Sequence, residues 1–86
     1  MTPEKIRADG NAAKHLLNDP TFQGVMDKIR DDAVALFLNP ASGIDTLAAA
    51  HERIRGIETV LAEINSRIGA IAVLDKRERA QDRGND

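Results

Sequence analysis

The sequence predicts an all-α protein: an antiparallel helical hairpin with a short additional N-terminal helix and a long C-terminal helix with a coiled-coil-like seam. Three observations favour this fold class. Apolar residues recur at alternating spacings of three and four along two segments. Asparagine and proline mark the boundaries between segments. Thirteen alanines and only two aromatic residues indicate helices that pack closely through small side chains.

The first segment contains a helix-start signal at residues 2–3, followed by a run of residues with poor helix propensity. Thr2 suits the N-cap and Pro3 suits the first helical position. The run Asp9-Gly10-Asn11 then favours a turn over a helix interior. We therefore expect the helix to cover residues 11–18 and residues 1–10 to form a loosely held arm. The apolar residues at helical spacing are Ile6, Ala13, Leu16 and Leu17.

The second helix is predicted over residues 20–38. Asp19 is the expected N-cap, and Asn39-Pro40 ends the helix. A heptad seam follows spacings of 4, 3, 4 and 3, and we expect Val25 and Phe37 to widen it into a broader apolar stripe. The seam residues are Phe22, Met26, Ile29, Ala33 and Leu36.

The third helix is predicted over residues 43–80, with residues 81–86 as a frayed tail. Ser42 is the expected N-cap, and Asp45 follows three residues later as in a capping box. Eight apolar residues then keep the three–four alternation, which is the strongest pattern in the chain. They are Leu47, Ala50, Ile54, Ile57, Leu61, Ile64, Ile68 and Ile71. Gly69 costs roughly 1 kcal/mol relative to alanine and leaves open a break at that point.

Helix three is longer than its partner in the hairpin. At 1.5 Å per residue, helix two spans roughly 28 Å and helix three roughly 55 Å. The apolar residues beyond about Leu61 therefore need another cover: helix one, a second copy of the chain, or a fold back at Gly69. We favour self-association through this overhang. A monomer in which helix one covers these apolar residues is an alternative of about equal weight. The candidate protein-contact residues are Ile64, Ile68, Ile71, Leu74, Lys76, Arg77 and Arg79.

Composition limits the chemistry of a chain this small. We expect a single helical domain, because 86 residues are enough for only one. The core of such a domain is too small to enclose a large cofactor. Twelve basic and fourteen acidic residues give a net charge of −2, so no domain-wide basic field attracts nucleic acid or a membrane surface. The chain has no Cys, Trp or Tyr, and its longest apolar run is far shorter than a bilayer span. We expect no membrane contact.

No residue pattern predicts an active site or a metal centre. His51-Glu52 resembles the start of the H-E-x-x-H zinc motif, but Arg55 stands where the second histidine is needed. His15 lies near the end of helix one, where a cation suits the helix dipole. Neither Ser42 nor Ser66 has a base at helical contact spacing. We therefore expect no enzyme activity, cofactor, metal or small-molecule substrate.

The C-terminal segment has a local excess of positive charge. Five cations and three anions lie between Arg67 and Arg83, a net charge of +2. The interleaved acids favour a solvated helix end. Contact with a nucleic-acid backbone is an alternative that we do not favour.

The segment 12–22 contains the turn Leu16-Leu17-Asn18-Asp19-Pro20 and precedes two long amphipathic helices. In this it resembles small all-helical proteins of tailed bacteriophages and prophages, whose genes commonly lie among head and packaging genes. The resemblance covers residues 8–74 and implies a phage origin and an assembly or accessory role, and it supplies no functional residues that could be carried over to this chain.

From these features we expect a non-enzymatic virion or head-assembly component that acts through helix-mediated protein contacts, in the virion or the host cytoplasm. The alternatives are a small inhibitor or regulator of a host protein, and a packaging-type DNA-binding subunit.

Overall fold

A computed structural model describes residues 1–84, and that part of the chain consists of three helices without strands. They are α1 (Pro3–Leu17), α2 (Pro20–Leu38) and α3 (Ile44–Gly84). The predicted all-α fold class is therefore confirmed. The chain divides into two compact units. Unit 1 contains α1 and α3 from Glu63 onward, and unit 2 contains α2 and α3 up to Ala62.

In unit 2, α2 begins and ends where the sequence predicts. The Asp19 carboxylate accepts hydrogen bonds from the backbone N–H groups of Thr21 at 2.7 Å and Phe22 at 3.0 Å, which caps the helix. All five predicted seam residues are buried or half-buried. Val25 and Phe37, however, are exposed. The prediction that they widen the stripe is wrong, because a narrow a/d seam suffices for a two-helix contact.

The seam of α3 also follows the predicted pattern. All eight of its residues are buried or half-buried. Ala50, Ile57 and Ile64 are the most enclosed, with 0%, 4% and 6% of their surface exposed. The helix continues through Gly69 without a break, so the fold-back alternative is wrong.

The ends of α3 differ from the prediction. The backbone N–H of Leu47 donates to the carbonyl of Gly43 at 3.0 Å, so Gly43 rather than Ser42 is the N-cap. At the other end the helix continues to Gly84, four residues past its predicted end. Of the predicted frayed tail, residues 81–84 are helical, and residues 85–86 lie outside the described residues.

In unit 1, α1 begins at Pro3 rather than near Asn11, so residues 3–10 are helical rather than a loose arm. The hydroxyl oxygen of Thr2 accepts a hydrogen bond from the backbone N–H of Lys5 at 3.1 Å, which caps the helix. Gly10 does not interrupt the helix but is buried in its interior.

The two helices of unit 1 run antiparallel. Arg7 pairs with Asp75 and Glu78, whereas Gly10, one turn later on α1, lies beside Ile71, earlier on α3. The α1 residues that face the contact are Ile6, Gly10, Ala13 and Leu17, at spacings of 4, 3 and 4. Because two of these four side chains are no larger than a methyl group, the two backbones can lie close together.

Candidate protein-contact surface

The connection between α2 and α3 is a short turn stabilised by its own hydrogen bonds. The side-chain oxygen of Asn39 accepts from the backbone N–H of Ala41 at 2.9 Å. Its backbone carbonyl accepts from the N–H of Ser42 at 3.0 Å. An asparagine side chain that bonds two residues ahead forms an Asx turn, which fixes the direction of the chain. The turn therefore holds the helix ends on either side of it in a defined position.

Large apolar side chains flank this turn and are exposed. Phe37 exposes 44% of its surface, Leu38 78% and Ile44 86%. We call these three residues the hairpin tip patch. Leu38 and Ile44 are the last residue of α2 and the first of α3, so the chain presents them at the same end of unit 2. Burial of each such side chain by a partner contributes about 1.5–3 kcal/mol.

The core offers little apolar burial by comparison. Among residues 1–84, the buried apolar residues are Ala13, Ala33, Ala50, Ile57 and Ile64, and three of them are alanines. No large side chain in that range is completely buried. Most large apolar side chains of the described residues are half-buried along the seams rather than enclosed in a deep core.

The overhang predicted as the contact surface lies in unit 1, where α1 packs beside it. Ile64 is buried, and Ile68, Ile71 and Leu74 are half-buried. In this arrangement helix one covers the overhang. The sequence predicted this alternative and self-association with about equal weight. A partner that binds these residues would have to compete with α1.

An ion-pair cluster holds α1 against α3. The Arg7 guanidinium lies 2.8 Å from a carboxylate oxygen of Asp75 and 2.7 Å from one of Glu78. The hydrogen bond to Asp75 raises the pKa of Arg7, partial desolvation opposes this, and the charge of Glu78 raises it further. Arg7 therefore stays charged at physiological pH, and it bridges two successive turns of α3.

The three cations of the predicted contact surface are placed differently from its apolar residues. Lys76, Arg77 and Arg79 are all exposed on α3. They lie beyond the last predicted apolar contact, Leu74. They can meet a partner without displacing α1.

The two histidines that the sequence singled out are surface residues. His15 and His51 are both exposed, the first on α1 and the second on α3. Within residues 1–84, no three His, Asp or Glu side chains are grouped in a way that could hold a metal ion. None of the described helices is both long and apolar enough to cross a membrane.

Comparisons of this chain with protein-family models, with characterised proteins and with solved structures give no match. The surface is therefore interpreted from its own residues.

The hairpin tip patch was not predicted from the sequence, although the seam positions around the turn contain a signal for it. The seam of α2 ends at Leu36, and extension of the α3 seam backwards from Leu47 gives Gly43. Phe37, Leu38 and Ile44 therefore each fall one or two positions off a seam. Large apolar residues off the seam and next to a loop point to exposure.

Proposed function

We propose that this protein is a non-enzymatic assembly component of a tailed phage or prophage, which binds another protein of the particle through its helical hairpin. The observation that carries the proposal is the hairpin tip patch. Three large apolar side chains are held exposed beside a hydrogen-bonded turn. Large apolar side chains that are exposed together on the surface of a soluble protein commonly mark an interaction site.

The resemblance of residues 8–74 to small helical phage proteins supports the particle as the setting. The small core supports the need for a partner, since a chain of this size buries a smaller share of its surface on folding than a larger domain does. The proposal places the contact at the tip rather than at the overhang, because α1 already lies against Ile71 of the overhang.

The proposal is tested by incorporation into particles. Leu38→Glu and Ile44→Glu each place a charge in the hairpin tip patch, whereas Val25→Glu makes the same change at an exposed apolar site elsewhere on α2. Mass spectrometry of purified particles is expected to find the unaltered chain and the Val25 variant. The two tip variants are expected to be missing or strongly depleted.

Circular dichroism of each variant checks that the helices remain folded. Absence of the unaltered chain from particles would contradict the proposal and would favour the regulator of a host protein. Equal incorporation of all variants would contradict the role of the tip.

A further inference from the structure

The last turns of α3 separate their charges onto different sides of the helix. Asp75, Glu78 and Asp82 continue the seam beyond Ile71, at spacings of 4, 3 and 4. The cations Lys76, Arg79 and Arg83 each follow one of these acids by a single residue. One residue turns the helix by about 100°, so the cations form a row of their own, away from the acidic row.

Arg7 engages two of the three acids. Its guanidinium pairs with Asp75 and Glu78, which keeps these carboxylates on the side of α3 that faces α1. The cations have no such partner: within residues 1–84, Lys76, Arg77, Arg79 and Arg83 make no ion pair. The cations of the basic row are therefore not held in ion pairs with the acids that alternate with them along residues 75–83.

The basic row forms a continuous surface. Lys76, Arg79 and Arg83 line one shallow groove together with Ala80. Ala72 lies on the same side of the helix, one turn before Lys76. Ala72 and Ala80 are the small residues on this side of the helix, and there the helix can approach a ligand closely.

We propose that this basic row binds the phosphate backbone of double-stranded DNA without sequence preference. Lys76 to Arg83 cover about 10 Å of helix axis. Each of the three cations of the row can neutralise one phosphate, so about three phosphate contacts are expected. Arginine forms paired hydrogen bonds to phosphate oxygens, which suits it to this contact.

The same face does not suit a membrane surface. A helix that lies in a lipid interface buries a wide stripe of large apolar residues below its cations. In α3 from Glu63 to Gly84, Val73 is the one large apolar side chain that is exposed. The apolar stripe of this segment faces α1 instead.

Fluorescence anisotropy with a labelled duplex of about 24 base pairs tests the proposal. With three phosphate contacts, the binding constant is expected to fall roughly 40-fold between 50 and 200 mM salt, a log–log slope of about −2.7. The double variant Lys76→Gln, Arg79→Gln is expected to bind roughly 10- to 100-fold more weakly at 50 mM salt, with a slope of about −1.

The matched control is the double variant Arg53→Gln, Arg55→Gln. It removes the same charge from exposed positions on the unit 2 part of α3, and it is expected to bind DNA like the unaltered chain. No binding of the unaltered chain at 50 mM salt would overturn the proposal, as would equal losses in the two double variants. Competition by polyglutamate as effective as that by unlabelled duplex would also overturn it, because the row would then recognise an acidic polypeptide equally well.

Discussion

Gly10 of α1 lies directly against the side chain of Ile71 on α3. A Cβ atom on residue 10 would overlap the Cδ1 and Cγ1 atoms of Ile71 and would stand 2.8 Å from the backbone carbonyl oxygen of Arg67. A side-chain terminus can rotate away, but a helix carbonyl cannot move without a shift of the backbone. The absence of a side chain at residue 10 therefore sets how closely the two helices of unit 1 approach.

Gly10→Ala is expected to lower the free energy of unfolding by up to about 2 kcal/mol. Overpacking of a closely packed contact costs about 1–3 kcal/mol, and the higher helix propensity of alanine offsets about 1 kcal/mol of this. Urea denaturation followed by circular dichroism measures the change, since the chain has no Trp or Tyr for fluorescence.

Gly69→Ala is the matched control for this variant. A Cβ on Gly69 meets no atom within 4 Å, so the same substitution should raise the free energy of unfolding by about 0.5–1 kcal/mol. Stabilisation by both substitutions would contradict the close contact at Gly10.

Arg7→Met is expected to loosen α1 from α3. The substitution keeps an apolar stem but removes the charge that pairs with Asp75 and Glu78. Hydrogen exchange of the α1 amides should become faster, and the Tm should fall modestly and depend less on salt, because exposed ion pairs are weak and screened. Lys5→Met removes only the pair with Asp9 inside α1 and should accelerate exchange less. Indistinguishable exchange in the two variants would argue against the role of Arg7.

Asp19→Ala is expected to destabilise unit 2 by about 1 kcal/mol. The substitution removes the acceptor for the backbone N–H groups of Thr21 and Phe22 at the first turn of α2. Asp19→Asn keeps an acceptor oxygen and should lose only a few tenths of a kcal/mol. Thermal denaturation of the three chains at neutral pH measures the difference, and equal losses for Ala and Asn would show that the charge rather than the cap matters.

The ion pair between Lys28 and Asp32 predicts a pH dependence in the alkaline range. The hydrogen bond and the charge of Asp32, which lies 2.8 Å away, raise the pKa of Lys28 above its ordinary 10.5. Since the folded pKa lies above the unfolded one, the pair stabilises fully below about pH 10.5 and is lost as the pH rises through the folded pKa. An NMR titration of the Lys28 ammonium should show this raised pKa, and Asp32→Asn should return it towards 10.5. An unchanged titration in that variant would exclude the pair.

The seams of α2 and α3 could be predicted from the sequence because a heptad pattern repeats over many turns of one segment. Every predicted seam residue of α2 and α3 is buried or half-buried, from Phe22 to Ile71. The cap at Asp19 was equally accessible, since it depends on residues within one turn.

The continuity of α1 through Gly10 could not be predicted in the same way. Gly10 has a poor local helix propensity. A side chain at this position would collide with Ile71, which lies 61 residues further along the chain, so the local sequence does not show why glycine is needed there. The packing of α1 over the overhang could not be predicted from local sequence for the same reason, because α1 and the end of α3 are far apart in the sequence and meet only in the folded chain. The segregation of charge on α3 needed the structure as well, because the pairing of Arg7 with Asp75 and Glu78 identifies which side faces α1.

Photo-crosslinking within purified particles tests most directly the claim that the hairpin tip patch, rather than the overhang, contacts another protein. Benzoylphenylalanine is placed at Phe37 in the tip patch or at Val73, an exposed site beside the overhang. A tip contact predicts crosslinks to another chain from residue 37 and none from residue 73. Crosslinks to another chain from residue 73, with none from residue 37, would contradict the account.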